Sequence, residues 1–96
     1  MYARVVTVHV QPGKMDEFLR RLRELAPAAK ARRGFHEARF LTDAHTGTVL
    51  GITVWETEAD AETSEATSSY IGQMSMMSSF LHEPLVPKTY EVSVKT

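Results

Sequence analysis

The chain of 96 residues contains no cysteine. That absence excludes disulfide bonds, thiolate nucleophiles, iron–sulfur clusters and cysteine-ligated zinc, and it fits a reducing compartment. Long apolar runs are missing as well, and the amino terminus shows no basic region followed by an apolar stretch. We therefore expect a soluble cytoplasmic protein with no membrane segment.

An excess of charge of either sign is also missing. The chain has 11 basic and 12 acidic residues, which give a formal net charge of -1. A nucleic-acid-binding surface is normally basic, so we expect no nucleic-acid partner. The run that contains Arg20, Arg21 and Arg23 stands among acidic residues of one helix, which predicts a solvated face.

Local signatures of catalysis and cofactor binding are scarce. The sequence has no Gly-x-Ser-x-Gly elbow, no phosphate-binding glycine loop and no dinucleotide fingerprint, and its four histidines include no i, i+4 pair on a helix. Serine hydrolysis, nucleotide binding and a compact metal site therefore lack support. We expect the purified protein to be colourless, metal-free and without a cofactor.

Two strand-helix-strand units follow one another in the chain. Residues 2 to 10 alternate with period 2, and after Pro12-Gly13 apolar residues recur at helical spacing up to Ala29. This pattern predicts a strand that leads into an amphipathic helix beginning near residues 12–14. Pro27 should kink or loosen its last turns, and Gly34 is a suitable end signal.

The second unit has the same plan. The patterns predict a strand at 35–41, a turn at 42–47, a strand at 48–55, a helix at 58–81 and a last strand at 88–95. The order βαββαβ is that of the ferredoxin-like α+β fold, an antiparallel four-stranded sheet with two helices on one face. The length suits a single domain that spans 1–96.

A sheet with helices on one face must cover its other face, and a second copy of the chain would do so. We therefore predict a homodimer. Strand alternation places Val6 and Val8, together with Leu50, Ile52 and Val54, toward the helices. The opposite set is predicted to form the dimer interface: Thr7, His9, Arg39, Thr53 and Trp55.

Four short segments carry a resemblance to a known family: residues 10–18 (Val-Gln-Pro-Gly-Lys-Met-Asp-Glu-Phe), 33–35 (Arg-Gly-Phe), 53–59 (Thr-Val-Trp-Glu-Thr-Glu-Ala) and 68–70 (Ser-Ser-Tyr). In these the chain resembles the antibiotic-biosynthesis-monooxygenase (ABM) domain of the dimeric α/β-barrel superfamily, over essentially its whole length. The resemblance implies a homodimer with its two sheets face to face and a pocket in each subunit between sheet and helices.

The family includes small oxygenases that oxidise polyphenolic or quinol substrates without metal or flavin, haem-degrading relatives and proteins of no known activity. The haem-degrading branch uses an Asn on the first strand and a Trp and a His on the second helix. Those places hold Val6, Ser64 and Met74 in this chain. The resemblance therefore does not extend to haem degradation.

Cofactor-free oxygenation needs a group that ionises a phenolic substrate and an apolar chamber in which the carbanion meets dioxygen. We predict His36 and Tyr70 as the catalytic residues, since histidine is the usual base near neutral pH. His36 either faces the pocket or lies exposed at its strand start, and the Met-rich stripe of the second helix is either pocket wall or core filler. The predicted pocket residues are Val6, Val8, Ile52, Met74 and Met77.

Two functions from different classes follow. The first is a cofactor-independent monooxygenase that oxidises a small aromatic, quinol-like or polyketide-like substrate with dioxygen. The second is a non-catalytic dimeric module that binds an apolar small metabolite or acts as an accessory subunit. Fold alone does not decide between them.

Overall fold

The structure, a computed structural model, describes residues 1–63, 80 and 87–96. Its elements are β1 (Tyr2–His9), α1 (Met15–Leu25), a 3₁₀ helix (Ala26–Ala31), β2 (Phe35–Asp43), β3 (Thr48–Trp55), α2 (Glu58–Thr63) and β4 (Pro87–Glu91). The strands form one four-stranded sheet in the order β2-β3-β1-β4, and all three pairings are antiparallel. This arrangement confirms the predicted α+β ferredoxin-like fold.

The core lies between the sheet and α1. Val8, Val10 and Val49 are buried with Phe18 of α1 and with Phe80. The two phenylalanine rings meet edge to face, with 6.3 Å between their centroids. Four apolar residues of α1 at helical spacing pack against this cluster, as the sequence pattern predicts: Met15, Leu19, Leu22 and Leu25.

The arginines of α1 lie on its solvent side. Arg20 is 3.8 Å from Glu17 and Arg21 is 3.7 Å from Glu24, in each case three residues away along the helix. Such exposed pairs contribute only a few tenths of a kcal/mol, about 0.2–0.5 each. Their position agrees with the predicted solvated face.

Pro27 has the predicted effect on the first helix. The α-helix ends at Leu25, and Ala26–Ala31 continue as a 3₁₀ helix with Pro27 in its first turn. A proline has no N–H to donate to the preceding turn, so regular α-helical bonding cannot pass through it. The chain then leaves the helix in an extended conformation at Arg32 and reaches β2 through Gly34.

Gly34, just before β2, lies in close contact with Asp60 of α2. Its φ is +77°, and a side-chain carbon added there would lie 2.6 Å from Cγ and 2.8 Å from Cβ of Asp60. The Gly34 carbonyl accepts a hydrogen bond from the N–H of Glu56 at 2.8 Å. Thr57 begins α2 beside this contact, because its hydroxyl accepts from the N–H of Asp60 at 3.0 Å as a helix cap does.

Gly34→Ala should therefore lower the free energy of unfolding by about 2–4 kcal/mol, since a positive φ costs a side chain roughly 1–2 kcal/mol and the Asp60 contact adds overpacking. Gly13→Ala is the matched control, because Gly13 has φ +78° and nothing within 4 Å of the added carbon. Urea unfolding of both variants measures the difference. Equal losses would show that the Asp60 contact adds nothing.

Two predicted elements differ in extent. β4 ends at Glu91 instead of near Lys95: its pairing with β1 ends at Tyr2, Val92 donates to the Met1 carbonyl at 2.9 Å, and Val94 is 82% exposed. The predicted second helix is described only as α2, and its remainder to residue 81 lies outside the described residues apart from Phe80. Within the described ranges no helix is long and apolar enough to cross a membrane.

The register of the two central strands fixes which side of the sheet meets the helices. Val8 in β1 lies opposite Val49 in β3, and both are buried in the core. Residues directly opposite each other in adjacent strands share a face, and every second residue along a strand keeps it. Val49 and its alternate neighbours Gly51, Thr53 and Trp55 therefore face the helices.

The predicted facing of β3 is therefore wrong. Thr53 and Trp55 do not belong to the predicted dimer interface, and Trp55 is already 2% exposed in the single chain. Ile52 does not belong to the predicted pocket, since it lies opposite Val5 on the other side of the sheet. The error arises because the more apolar alternate set of β3, Leu50, Ile52 and Val54, lies on the side away from the helices, so composition indicates the wrong side.

We call the side of the sheet away from the helices the open face. It keeps Thr7, His9 and Arg39 of the predicted interface. Arg39 is 3.7 Å from Glu37, and both side chains are more than half exposed in the single chain. The apolar members of the open face are Ala3, Val5, Leu41, Leu50, Ile52 and Val54.

Candidate functional site

The helix-facing side of the sheet has two chemically different ends. Its apolar end consists of Val8, Val10 and Val49 with the two phenylalanines of the core. Four residue positions further along β1 toward the amino terminus, the same side becomes polar. We call the following set the polar end: Tyr2, Arg4, Thr53, Thr89 and Glu91.

Arg4 is the centre of the polar end. It lies opposite Thr53 of β3 on one side and opposite Thr89 of β4 on the other. Its guanidinium donates a hydrogen bond to the Thr89 hydroxyl in a partly buried position. Arg4 takes part in a further interaction as well, so the Thr89 contact is not its only one.

Trp55 supports the Thr53 side of this set. The indole Nε1–H donates to the Thr53 hydroxyl at 2.9 Å. The ring of Phe35 meets the indole edge to face, with centroids 5.4 Å apart. The packed indole therefore fixes the orientation of the Thr53 side chain.

Tyr2 and Glu91 lie opposite each other in β1 and β4, and they are the members of the polar end nearest the amino terminus of β1. The Tyr2 hydroxyl donates to Oε2 of Glu91 at 3.4 Å. The negative charge of Glu91 raises the pKa of the Tyr2 phenol, and desolvation, this hydrogen bond and Glu58 act in the same direction. Tyr2 is therefore a hydrogen-bond donor at neutral pH and a poor candidate for a base.

His36 lies apart from the polar end, at an irregularity in the sheet. The register of β2 against β3 shifts between Phe35 and Glu37, which is where a bulge leaves His36 outside regular pairing. Its Nε2 is 2.5 Å from Oε2 of Glu56, and both side chains are exposed. Of the two placements left open by the sequence, the structure shows the exposed one.

The other predicted site residues are only partly placed. Val6 and Val8 lie on the helix-facing side, as predicted. Tyr70, Met74 and Met77 lie outside the described residues, as does Ser64. Among the residues that the structure describes, no three His, Asp or Glu side chains come together as metal ligands would.

Sequence reasoning missed Arg4 and Thr89, and it placed Thr53 in the dimer interface instead of beside Arg4. A signal for Arg4 was present, because it occupies an inward position between Tyr2 and Val6 in the alternation of β1. Charged residues rarely take inward positions without a partner or a role. Thr53 and Thr89 carried no such signal, since only the strand register places them beside Arg4.

A comparison with protein families identifies the class. Residues 1–71 match the family model described as antibiotic biosynthesis monooxygenase (ABM). This match covers well over half of the chain, so the chain belongs to the ABM family. The resemblance found from the sequence segments is therefore confirmed, whereas no curated protein matches the chain significantly.

Solved structures match nearly the full length of the chain. A protein from Nitrosomonas europaea, provisionally named an antibiotic biosynthesis monooxygenase, has a TM-score of 0.84 at 19% identity, with 98% of this chain and 100% of that chain covered. A similarly named protein from Bordetella bronchiseptica has a TM-score of 0.85 at 15% identity, with 97% of each chain covered. A protein of unknown function, also from Nitrosomonas europaea, has a TM-score of 0.83 at 18% identity, covering 99% and 91%. At such identities the likeness establishes the fold alone.

Proposed function

We propose that the chain is a cofactor-independent monooxygenase that oxidises a small aromatic, quinol-like or polyketide-like substrate with dioxygen. Membership of the ABM family supports the reaction class. The observation that carries the proposal is the division of the helix-facing side into an apolar end and a polar end, in which every member except Glu91 has an N–H or O–H donor. A phenolic substrate needs donors for its ionised oxygen and apolar surface for its rings, and Val6, which is only partly buried beside the core, offers such surface.

The proposed reaction balances without an external reductant. A base removes a proton from a substrate CH₂ group that neighbouring phenol and carbonyl groups acidify. The carbanion passes one electron to dioxygen, and combination of the two radicals with return of the proton gives a hydroperoxide. Loss of water then leaves a carbonyl, so one oxygen atom enters the product and the other leaves as water. The substrate supplies all four electrons.

In this proposal His36 and Tyr70 keep the role of base or polar anchor. Imidazole suits a base near neutral pH, and the contact with Glu56 would orient the His36 ring. Its exposure fits a place at the mouth of the site better than one inside it. The proposed pocket wall now consists of Val6, Val8, Met74 and Met77, without Ile52.

We also propose a homodimer through the open face. Four strands about 4.8 Å apart and some 25 Å long present a face on the order of 500 Å², and its apolar members form part of this area: Ala3, Val5, Leu41, Leu50, Ile52 and Val54. Leu41 and Tyr90 on this face are 50% and 49% exposed in the single chain. Contact with the same face of a second copy would remove both from water.

Oxygen uptake tests the proposed activity. A panel of hydroquinones and anthrones should include at least one compound whose oxygen consumption the protein raises tenfold or more above a protein-free blank. Heat-inactivated protein is the control for autoxidation. Absence of any protein-dependent uptake across the panel, from protein that binds these compounds, would contradict the monooxygenase proposal.

One observation favours the second candidate function, a dimeric module that binds an apolar small metabolite without reaction or acts as an accessory subunit. None of the histidines that the structure describes lies at the polar or apolar end: His9 is on the open face, His36 is at the bulge and His45 is in the hairpin turn. A binding module needs no base. Thermal stabilisation by the same compounds without oxygen uptake would identify this function.

A further inference from the structure

We infer that residues 92–96 dock as a strand on a second copy of the chain, with the side chains of Val92 and Val94 packed against that copy. We call residues 92–96 the overhang. The choice of a second copy as the partner rests on the homodimer proposed above, whereas the docking surface rests on this chain's own residues. The overhang adds to that homodimer a contact that lies beyond the four-stranded sheet.

The overhang passes the end of its own sheet. β4 pairs with β1 up to Glu91, which lies opposite Tyr2. The N–H of Val92 then donates to the Met1 carbonyl at 2.9 Å, and among the described residues no backbone hydrogen bond follows it along this segment. Because β1 begins at Tyr2, residues 93–96 have no strand of this sheet beside them. In an extended conformation they reach roughly 13 Å beyond it.

The amino-acid sequence of the overhang is nevertheless typical of a strand. Val92 and Val94 continue the alternation that Tyr90 begins, with Ser93 and Lys95 between and after them. Valine favours strands, because its branched side chain packs well on a pleated surface. The sequence thus favours a strand where the single chain supplies no neighbouring strand, and a partner removes this conflict.

The same alternation directs the two valines to the side of the open face. Tyr90 lies opposite Ala3, which is an apolar member of that face, and every second residue along a strand keeps its side. We call Tyr90, Val92 and Val94 the edge stripe. Tyr90 is 49% exposed and Val94 is 82% exposed in the single chain. As a strand, the overhang therefore carries the apolar surface of the open face past the end of the sheet.

A second copy of the chain offers a surface of matching chemistry. Its open face has the apolar members named above, and a two-fold symmetric contact brings the edge stripe of each copy to the other. The face of the sheet alone is on the order of 500 Å² in each copy. A stable interface buries roughly 800 Å² of each partner. The edge stripe is continuous with the open face, so its burial brings the contact closer to that size.

Val94→Glu tests the docking of the overhang. A side chain that is 82% exposed in the single chain contributes little to subunit stability, so the variant should keep the wild-type circular dichroism spectrum. The dissociation constant of the dimer, measured by sedimentation at micromolar concentrations, should rise at least about tenfold, because both copies place a charge in the contact. Val94→Ile keeps an apolar branched side chain and should leave the constant within about twofold.

Ser93→Glu is the matched control. Ser93 is the exposed neighbour of Val94 and lies on the other side of the overhang, so the substitution adds the same charge to the same segment away from the contact. It should leave the dissociation constant unchanged. Equal effects of Ser93→Glu and Val94→Glu, or a dimer that Val94→Glu does not weaken, would overturn the docking of the overhang.

Leu50→Asp, on the open face between Thr7 and Leu41, separates this inference from the proposed homodimer. A dimer that Leu50→Asp dissociates and Val94→Glu leaves intact would keep the open-face homodimer and overturn the docking of the overhang. A dimer that only Val94→Glu dissociates would keep the docking of the overhang and contradict the open-face homodimer. A wild-type chain that sediments as a monomer would overturn both.

Discussion

Leu50→Asp should convert the proposed homodimer to a monomer. Leu50 lies on the open face between Thr7 of β1 and Leu41 of β2, so no cationic side chain stands directly opposite it to neutralise a new carboxylate. In a two-fold symmetric dimer the substitution places two carboxylates in the contact, and a buried charge costs several kcal/mol. We expect the dissociation constant to rise at least 100-fold, or about 2.7 kcal/mol.

Sedimentation across a range of micromolar concentrations measures this effect. Ala44→Asp, in the exposed hairpin turn, adds the same charge away from the open face and should leave the dimer intact. Circular dichroism establishes that both variants keep the fold. A wild-type chain that sediments as a monomer, or a Leu50→Asp variant that stays dimeric, would contradict the proposed assembly.

Trp55→Ala should lower the free energy of unfolding by about 3–5 kcal/mol, the usual cost of removing a large buried aromatic side chain. The indole is 2% exposed in the single chain, packs against Phe35 and donates to Thr53. Trp55→Phe keeps an aromatic ring of smaller size and loses the donor, so we expect it to cost noticeably less, about 1–2 kcal/mol.

Chemical unfolding at two protein concentrations tenfold apart distinguishes a loss inside the subunit from a loss at an interface. A loss inside the subunit lowers the stability at both concentrations, whereas a dimer that dissociates before it unfolds loses the dependence of its unfolding on protein concentration. A Trp55→Ala variant with nearly wild-type subunit stability but a dissociated dimer would contradict the burial of Trp55 inside the subunit and indicate that it lies in the dimer interface.

The helical parts of the fold were the most predictable from the sequence. The spacing of Met15, Leu19 and Leu22 identifies the buried side of α1, because helical periodicity differs from strand alternation over even a few turns. Pro27 also acts through its own covalent structure, so its effect does not depend on the rest of the fold. These are local signals, and the structure bears them out.

The facing of β3 could not be read in the same way. Leu50, Ile52 and Val54 are more apolar than the alternate set, so composition favours the wrong facing, and only the pairing of Val8 with Val49 gives the right one. Register is a long-range property, and a shift of one residue exchanges the two faces of a strand. The polar end could not be predicted from the sequence for the same reason, because its residues lie on three strands and only their register brings them together.

His36 shows a different limit of sequence reasoning. Uninterrupted alternation from Phe35 would place it by simple parity, but the bulge between Phe35 and Glu37 breaks that parity. A bulge inserts one residue without any required sequence signal at this position. The contact with Glu56 at the end of β3 likewise depends on the pairing of β2 with β3.

The proposed activity is tested most directly with isotopically labelled dioxygen and an oxidisable anthrone such as dithranol. Protein freed of metal by chelation and dialysis should form the corresponding quinone faster than a protein-free blank, with one labelled oxygen atom in each product molecule and the other in water. Hydrogen peroxide should not accumulate, because the substrate CH₂ group supplies all four electrons. Quinone formed only at the blank rate, or product without label accompanied by stoichiometric hydrogen peroxide, would contradict a cofactor-independent monooxygenase.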